Sequence, residues 1–317
     1  NNLIKDIKDK KERSETMISI AKSKSIKITK ETERKIKQFK KWVRLLNYWK
    51  NKYPVMEKKY LKEKNFKVIV SCRKNKDVKR LSKEFDYSIQ LDTSSSSSIK
   101  KAFILIQKIV KNDLVYGIFC NAGYGQFGAV EDLTRALIRE QFETNLFGHI
   151  ELINLFIPFM RKQNEGRIIF NSSVLGLVSF PFSSAYNATK FAMEAFARSL
   201  RLELKKTNIK VSLIEPGPIK ANFNINALKN LKRIKINNSV YKDKYYKIMK
   251  YLVSGEDFFT LPALSVAKKV HIALKSKKPK TQYFVTLPTY VLSYLRILPN
   301  PIFENFLSLL DNQRENK

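Results

Sequence analysis

Short β-branched runs alternate with helical segments between residues 67 and 285, and this alternation limits the possible folds more than any other feature of the chain. It is typical of a parallel sheet with helices on both faces. We therefore predict an α/β fold with a doubly wound parallel sheet in three layers. The predicted strands are Lys67–Cys72, Ser88–Leu91, Leu114–Cys120, Arg167–Asn171, Ile209–Ile214 and 281–285, and the predicted helices are 77–85, 98–111, 134–162, 184–206 and 264–276.

The segments outside this alternation differ from it in composition. Residues 1–41 are rich in Lys, Glu, Ser and Ile and are predicted to form a charged N-terminal extension, helical or disordered. The main domain then covers 42–285. Its stretch 222–255 is polar, aromatic and irregular, and is predicted to be a lid over the substrate. The tail 286–317 is apolar but interrupted by prolines, which favours a packing or dimer segment and leaves a peripheral membrane contact open.

The formal net charge is +33 over 317 residues. A charge of this size is compatible with binding to nucleic acid or to an anionic membrane. However, the lysines recur along the whole chain, and no zinc-finger or basic-zipper pattern accompanies them. We therefore interpret them as solvated side chains spread over every helix, and we expect no nucleic-acid partner.

The chain has only two cysteines and two histidines, at unrelated spacings. Cys72 and Cys120 end two predicted strands and cannot build a disulfide framework, which favours a reducing compartment and a cytoplasmic location. His149 and His271 lie on predicted helices, and the sequence contains no strand–turn–helix motif with a nucleophilic serine that either could activate. Neither a metal site nor a Ser-His-Asp hydrolase is therefore expected.

The residues with recognisable chemistry lie in the segment 167–223. Tyr186 and Lys190 stand four residues apart at the start of a predicted helix, so they share one helix face. An ammonium nearby favours the phenolate, and we expect Lys190 to lower the pKa of Tyr186. The phenol could then exchange a proton with an alcohol or carbonyl oxygen near neutral pH. Ser173, at the end of the preceding strand, could hydrogen-bond the same oxygen.

Together with Pro216-Gly217 after the next strand, this pattern resembles the short-chain dehydrogenase/reductase family over roughly residues 60–285. The resemblance implies a Rossmann-like fold and an NAD(P)-dependent oxidoreductase. In the family, an asparagine kinks its helix and holds a water that links the lysine to bulk solvent. The implied catalytic residues are Asn145, Ser173, Tyr186 and Lys190.

The resemblance also implies where the cofactor binds. The family's strand-ending Asn-Ala-Gly corresponds to Asn121, Ala122 and Gly123, and its acidic adenine contact corresponds to Asp92. Arg73 follows the strand that ends near the adenosine ribose, where arginine favours the 2′-phosphate of NADP(H) and NAD(H) remains the alternative. The remaining implied cofactor contacts are Tyr186, Lys190, Pro216, Gly217 and Ile219.

Two family features are missing. The family opens with a glycine-rich turn, Thr-Gly-x-x-x-Gly-x-Gly, that lets the backbone approach the pyrophosphate. Counting back from Lys67, its glycines should fall at Tyr48, Lys52 and Pro54, after a possible first strand at Trp42–Tyr48. A real divergence or a shifted reading frame upstream of residue 60 would each explain this loss. In addition, Ala221 stands where the family often has threonine, so one cofactor hydrogen bond would be absent.

Three functions are compatible with these patterns. The leading prediction is hydride transfer between NADP(H) and an alcohol or carbonyl substrate, with the aromatic lid suggesting an apolar one, in a homo-oligomer packed through two long helices. The alternative is a catalytically impaired member of the family, a pseudoenzyme or frameshifted product that cannot bind the dinucleotide properly. The third is a basic protein that binds nucleic acid or anionic lipid through its first 60 residues.

Overall fold

The computed structural model describes residues 60–64, 66–111, 115–254 and 259–315. Chain contacts divide the protein into two units after Pro54, and all described residues belong to the second unit, Val55–Lys317. The predicted extension 1–41, the predicted strand Trp42–Tyr48 and the positions expected for the cofactor glycines lie outside the described residues.

The described residues form an alternating series of strands and helices. The strands are β1 (Ile69–Cys72), β2 (Tyr87–Gln90), β3 (Gly117–Cys120), β4 (Gly166–Asn171), β5 (Ile209–Glu215), β6 (Ile219–Lys220), β7 (Leu261–Pro262) and β8 (Gln282–Phe284). The α-helices are α1 (Asn75–Leu81), α2 (Ser96–Val110), α3 (Arg135–Phe142), α4 (Gly148–Gln163), α5 (Ser184–Glu203), α6 (Phe223–Leu231), α7 (Lys242–Ser254), α8 (Leu264–Lys275), α9 (Leu287–Leu295) and α10 (Asn300–Glu315).

Every strand pairing among the described residues is parallel. The largest sheet has the order β3-β4-β5-β8, β1 pairs with β2, and β6 pairs with β7. Strand β4 shows that helices cover both faces: Ile168 and Phe170 pack with Met193 of α5, whereas Ile169 points the other way and packs with Val270 of α8. The predicted three-layer, Rossmann-like α/β fold is thus confirmed.

The predicted elements between residues 67 and 285 are present, with ends shifted by a few residues. The serine run caps α2, where the side chain of Ser95 accepts a hydrogen bond from the Ser98 amide at 3.3 Å. The stretch 222–255, however, is not irregular, because it contains α6 and α7. The tail is also helical: Leu292 of α9 and Phe303 of α10 are buried in a cluster with Phe180.

The long helix predicted over 134–162 is interrupted at its middle. Residues Glu143–Phe147 form a π-helical turn between α3 and α4, and this turn buries Asn145 and Leu146. Such single wide turns are common at functional sites, because they redirect one or two side chains without ending the helix. Directly after it, Gly148 lies so close to the Thr93 carbonyl that a β-carbon would stand 1.7 Å from the oxygen.

Candidate active site

The carboxyl ends of the central strands meet at one edge of the sheet. Cys120, the last residue of β3, pairs with Phe170, and Asn171, the last residue of β4, pairs with Ile214. The loops that follow β3, β4 and β5 therefore begin side by side. In open parallel sheets this edge is where ligands bind. The sequence-predicted site residues 121 to 123, Ser173 and 216 to 217 all lie in these loops.

Tyr186 and Lys190 occupy the first two turns of α5 and face this edge. The Lys190 ammonium lies 5.6 Å from the centroid of the Tyr186 ring and donates a hydrogen bond to the Asn171 carbonyl at 2.5 Å. Ser173 hydrogen-bonds to the Tyr186 hydroxyl, and its own oxygen accepts from the Leu175 amide at 3.1 Å. The structure thus places the serine, tyrosine and lysine in one group, all of them buried.

The electrostatics of this group differ from the sequence expectation. Burial raises the pKa of Tyr186 to about 12, which the hydrogen bond from Ser173 only partly offsets. Burial also lowers the pKa of Lys190 to about 8, although Glu194 and Cys120 act in the opposite direction. The expected lowering of the Tyr186 pKa by Lys190 was wrong for this arrangement. The cost of burying a phenolate dominates at this position.

Two aromatic side chains explain why Tyr186 is buried. Phe127 stacks near its ring with centroids 6.4 Å apart, and Phe223, the first residue of α6, lies 5.2 Å away. Asn230 joins α6 to the loop that follows β3, because its side chain donates to the Gly125 carbonyl at 3.1 Å. The sequence analysis did not identify Phe127 or Asn230. Their proximity to Tyr186 comes from packing between distant segments.

Asn145 holds the loop that follows β3. Its amide donates to the Tyr124 carbonyl at 2.9 Å and to the Thr189 hydroxyl at 3.2 Å, and its oxygen accepts from the Tyr124 amide at 3.0 Å. Gln141, one turn earlier, donates to the same carbonyl at 2.7 Å. These bonds direct the Asn145 side chain to the loop and to α5, and none of them goes to Lys190. The sequence analysis did not identify Gln141, because no pattern in the sequence shows that this glutamine is buried.

The other predicted residues of this loop are also held in place. Asn121 accepts from the Asn171 amide at 2.7 Å, and the Ala122 carbonyl accepts from Nε2 of His149 at 2.7 Å. Burial lowers the pKa of His149 to about 4, although that hydrogen bond acts in the opposite direction. His149 is therefore neutral and supports the loop. Gly123 faces solvent on one side and Asn145 on the other, where a β-carbon would lie 3.2 Å from the amide oxygen.

The loop after β5 passes close to the start of α9. A β-carbon on Gly217 would lie 2.2 Å from the hydroxyl oxygen of Thr286 and 3.0 Å from that of Thr289. Both threonines are buried, and their hydroxyls are 3.1 Å apart. Glycine is therefore required at position 217 for steric reasons. Beyond it, Ile219 begins β6 and is half-buried. The two threonines were missed because they follow the last strand, far along the chain.

Arg73 and Asp92, the two residues predicted to contact the adenosine, differ in how far their side chains are free to bind a ligand. Arg73 directly follows β1 with its side chain exposed at this edge of the fold. Asp92 follows β2, and one of its carboxylate oxygens already accepts from the amide and the hydroxyl of Ser94, at 3.0 and 2.7 Å. Arg73 is thus available to a ligand, whereas Asp92 also caps a local turn.

Behind Lys190 lies a buried pair of carboxyl groups, Glu194 on α5 and Glu215 at the end of β5. Burial and the neighbouring Glu194 raise the pKa of Glu215 to about 9, although Gln282 donates a hydrogen bond to it at 2.6 Å. Burial raises the pKa of Glu194 as well. At neutral pH at least one proton therefore stays on the pair.

Comparisons with known proteins show the family and the fold. The family model described as short chain dehydrogenase matches residues 58–232. The uncharacterized oxidoreductase YbbO of Escherichia coli K12 is 38% identical over 248 residues, which cover 78% of this chain and 87% of that protein. Two solved structures share the fold. One is the closed form of a serine dehydrogenase complexed with NADP+, with a TM-score of 0.62 and 20% identity; the match covers 74% of this chain and 90% of that one. The other is a short chain dehydrogenase/reductase from Burkholderia phymatum in complex with NAD, with a TM-score of 0.61 and 19% identity; the match covers 72% of this chain and 83% of that one. The chain therefore belongs to the short-chain dehydrogenase/reductase family.

Proposed function

We propose that this protein is an NADP(H)-dependent oxidoreductase that interconverts a carbonyl compound and its alcohol, with Tyr186 as the proton donor. The observation that carries the proposal is the buried group at the carboxyl edge of the sheet. There the Tyr186 ring lies 5.6 Å from the Lys190 ammonium, and its hydroxyl is hydrogen-bonded to Ser173. A phenol, a cation and a second hydroxyl around one point suit proton transfer to a substrate oxygen.

The residues at this edge fit a nicotinamide dinucleotide in chemistry. Gly217 leaves the edge free of a side chain, Lys190 offers an ammonium to a ribose, and Arg73 offers a guanidinium to a 2′-phosphate. A nearby buried acceptor, the side-chain oxygen of Asn171, has no partner among the described residues. The bound cofactor would supply the hydride. The residues expected to hold its pyrophosphate lie outside the described part.

The raised pKa of Tyr186 favours one direction of proton transfer. With a pKa of about 12 the phenol is protonated at neutral pH, so it is ready to donate to a carbonyl oxygen as hydride reaches the carbon. Ser173 would hydrogen-bond the same oxygen, and Lys190 would stabilise the phenolate left behind. Asn145 would keep the Tyr124 loop in position. The protonated phenol is therefore ready for the reduction of a carbonyl, and the concentrations of substrate and cofactor set the net direction.

The walls of the site favour an apolar substrate. Phe127 and Phe223 flank Tyr186, and the lid that carries Phe223 has a largely apolar buried face. A homo-oligomer formed through α4 and α5 is the expected assembly. Its support is a set of large apolar side chains that these helices expose, namely Phe159, Phe191, Phe196 and Leu202.

The first test is titration of the full chain with NADPH and with NADH, followed by quenching of intrinsic fluorescence. Saturable binding with preference for NADPH is expected, and Arg73→Gln should reduce that preference. Absence of saturable binding of either dinucleotide would refute the proposal and support a catalytically impaired protein.

The second test uses Tyr186→Phe and a panel of apolar and polar carbonyl compounds. Turnover of the apolar compounds should fall by roughly 100-fold or more, because general acid catalysis contributes about that much. NADPH binding should be retained. Tyr87→Phe, at the start of β2 and outside the site, is the matched control. Equal turnover by Tyr186→Phe and wild type would remove Tyr186 from its assigned role.

A further inference from the structure

The two buried acids behind Lys190 are not explained by packing alone. Glu194 follows Lys190 by four residues on α5, so both side chains lie on one face of that helix. Glu194 is 4% exposed and Glu215 is 0% exposed. Glu194 interacts with the side chains of Glu215 and Ser172. Because burial of a carboxylate is costly unless it is paired, the two acids need a partner charge or a shared proton.

The turn after β4 leaves room for the pair because it carries a glycine. A β-carbon on Gly176 would lie 2.7 Å from the hydroxyl oxygen of Ser172 and 3.3 Å from Cγ of Glu194. It would also lie 3.2 Å from the carbonyl oxygen of Lys190. Glycine at position 176 therefore lets the turn pass directly over Glu194. The carboxyl group is thus enclosed by this turn, by α5 and by the ends of β4 and β5.

The pair holds one proton and one negative charge at neutral pH. Oε1 of Glu215 accepts from Gln282 at 2.6 Å, whereas Oε2 has no partner among the described residues. A proton on Oε2 can be donated to Glu194, which removes the repulsion between two carboxylates. The negative charge then lies on Glu194. Arg198 is 3.7 Å from its carboxylate, and the contacts with Ser172 and Glu215 both favour its ionised form.

Few ionised groups act on Lys190. Burial lowers the pKa of this lysine to about 8, and Glu194 is the first group that acts in the opposite direction. Three other titratable side chains near the lysine are uncharged at neutral pH. Burial raises the pKa of Cys120 and of Tyr186 to about 12, and it lowers the pKa of His149 to about 4. Within the described part of the chain, the negative charge that acts on the Lys190 ammonium is therefore that of Glu194.

We propose that Glu194 is a positioning residue that keeps Lys190 protonated beside Tyr186, while Glu215 holds the proton of the pair and leaves the negative charge on Glu194. The inference rests on the proposed function, in which the Lys190 ammonium stabilises the phenolate that remains on Tyr186 after proton donation. A neutral amine cannot stabilise that phenolate by its charge. Glu194 thus acts on the reaction through Lys190.

The first test is the pH dependence of kcat/KM for carbonyl reduction by the full chain. The rate should fall as the pH rises through the Lys190 pKa of about 8, because deprotonation removes the ammonium charge. In Glu194→Gln the fall should begin about one pH unit lower, since loss of a nearby opposite charge lowers the pKa of an ammonium by that order. The value of kcat/KM should therefore drop about fivefold at pH 8 and change little at pH 6.

Two further variants separate charge from packing. Glu194→Asp keeps the charge and should restore the wild-type pH profile, even where its maximal rate is reduced. Glu203→Gln removes a carboxylate from the exposed end of α5 and should show the wild-type profile. Glu194 would be needed for packing only if Glu194→Gln lowered kcat/KM by the same factor at pH 6 and pH 8, or if Glu194→Asp shared its shifted profile. Either result would overturn the proposal.

The second test measures the charge of Lys190 without turnover. The lysine Nζ nitrogens are isotope-labelled and titrated by NMR, and the signal that is lost in Lys190→Met identifies Lys190. Its titration midpoint should be lower in Glu194→Gln than in the wild type. An unchanged midpoint would overturn the proposal. A lowered midpoint in a protein that neither binds NADPH nor turns over any carbonyl would confirm the effect of Glu194 on Lys190 and reject the proposed function instead.

Discussion

At the level of single residues, the chemistry of Tyr186 depends on the side chains that cover it as much as on its helical neighbour. The spacing to Lys190 could be read from the sequence, since residues four apart share a helix face. The packing of Phe127 and Phe223 over Tyr186 could not be predicted from the sequence, because both residues come from distant segments that only the folded chain brings together. The identity of the group was therefore predictable, while the direction of its pKa shift was not.

Glu215 gives a residue-level prediction of pH dependence. Its pKa of about 9 in the folded chain exceeds the ordinary value of 4.5, so the folded chain keeps a proton that the unfolded chain releases between these pH values. Stability should therefore fall as the pH rises from about 4.5 to 9. Glu215→Gln cannot ionise and should melt about 3 °C or more above the wild type at pH 8, with little difference at pH 5.

The measurement is thermal unfolding at both pH values. Glu203→Gln, at the exposed end of the same helix that carries Glu194, controls for a general effect of removing a negative charge. If Glu215→Gln and Glu203→Gln shift the melting temperature equally at pH 8, Glu215 is ionised in the folded chain and the prediction is wrong.

At the level of elements, the sequence located the central strands and helices well, because each is a long apolar run with turn residues at its ends. The stretch 222–255 was mistaken for an irregular segment. Its apolar residues do recur at helical spacing, as in Tyr245 and Leu252 of α7, which are both buried. The 3-10 turn Ile236–Asn238 separates α6 from α7 and interrupts this spacing. Most of the stability of such a helix comes from the segment against which its apolar face packs. When that segment is unknown, the polar face dominates the average composition and the helix is not recognised.

The hydroxyl of Tyr245 fastens α7 to the rest of the protein. It donates to the Asp132 carboxylate at 2.7 Å and accepts from the Ala129 amide at 2.8 Å. Tyr245→Phe would leave a buried amide without its acceptor, at a cost of roughly 1–3 kcal/mol. We expect faster hydrogen exchange of α7 amides in this variant, measured by mass spectrometry.

Tyr246→Phe is the matched control, because the side chain of Tyr246 is 49% exposed. Its exchange rates in α7 should equal those of the wild type. Equal exchange in the Tyr245 and Tyr246 variants would mean that packing alone, without the two hydrogen bonds, holds α7 in place.

At the level of the whole molecule, the strands should differ in how strongly their backbone amides are protected from hydrogen exchange. β4 is paired on both sides and lies between two layers of helices, and five of its six residues are buried. β1 has one partner strand among the described residues, and one of its four residues is buried. Regions with little buried contact open first.

Hydrogen exchange followed by mass spectrometry at pH 7 checks this order. Amides of β4 and β5 should exchange slowest, and those of β1 and β2 at least tenfold faster, in line with a difference of about 1.4 kcal/mol in the free energy of opening. Comparable protection of β1 and β4 would contradict the prediction and indicate one cooperative unit.

The wide turn at Glu143–Phe147 makes the length of that stretch as important as its composition. A π turn holds one residue more than an α turn, because its hydrogen bonds join residues five rather than four apart. Loss of one residue there would give a regular α-helix, and His149, Ile153 and Phe156 would stay on the buried side of α4. Asn145 and Leu146 would lose the wide turn that buries them. A single-codon deletion in this turn would thus release the loop that Asn145 holds while leaving α4 in place.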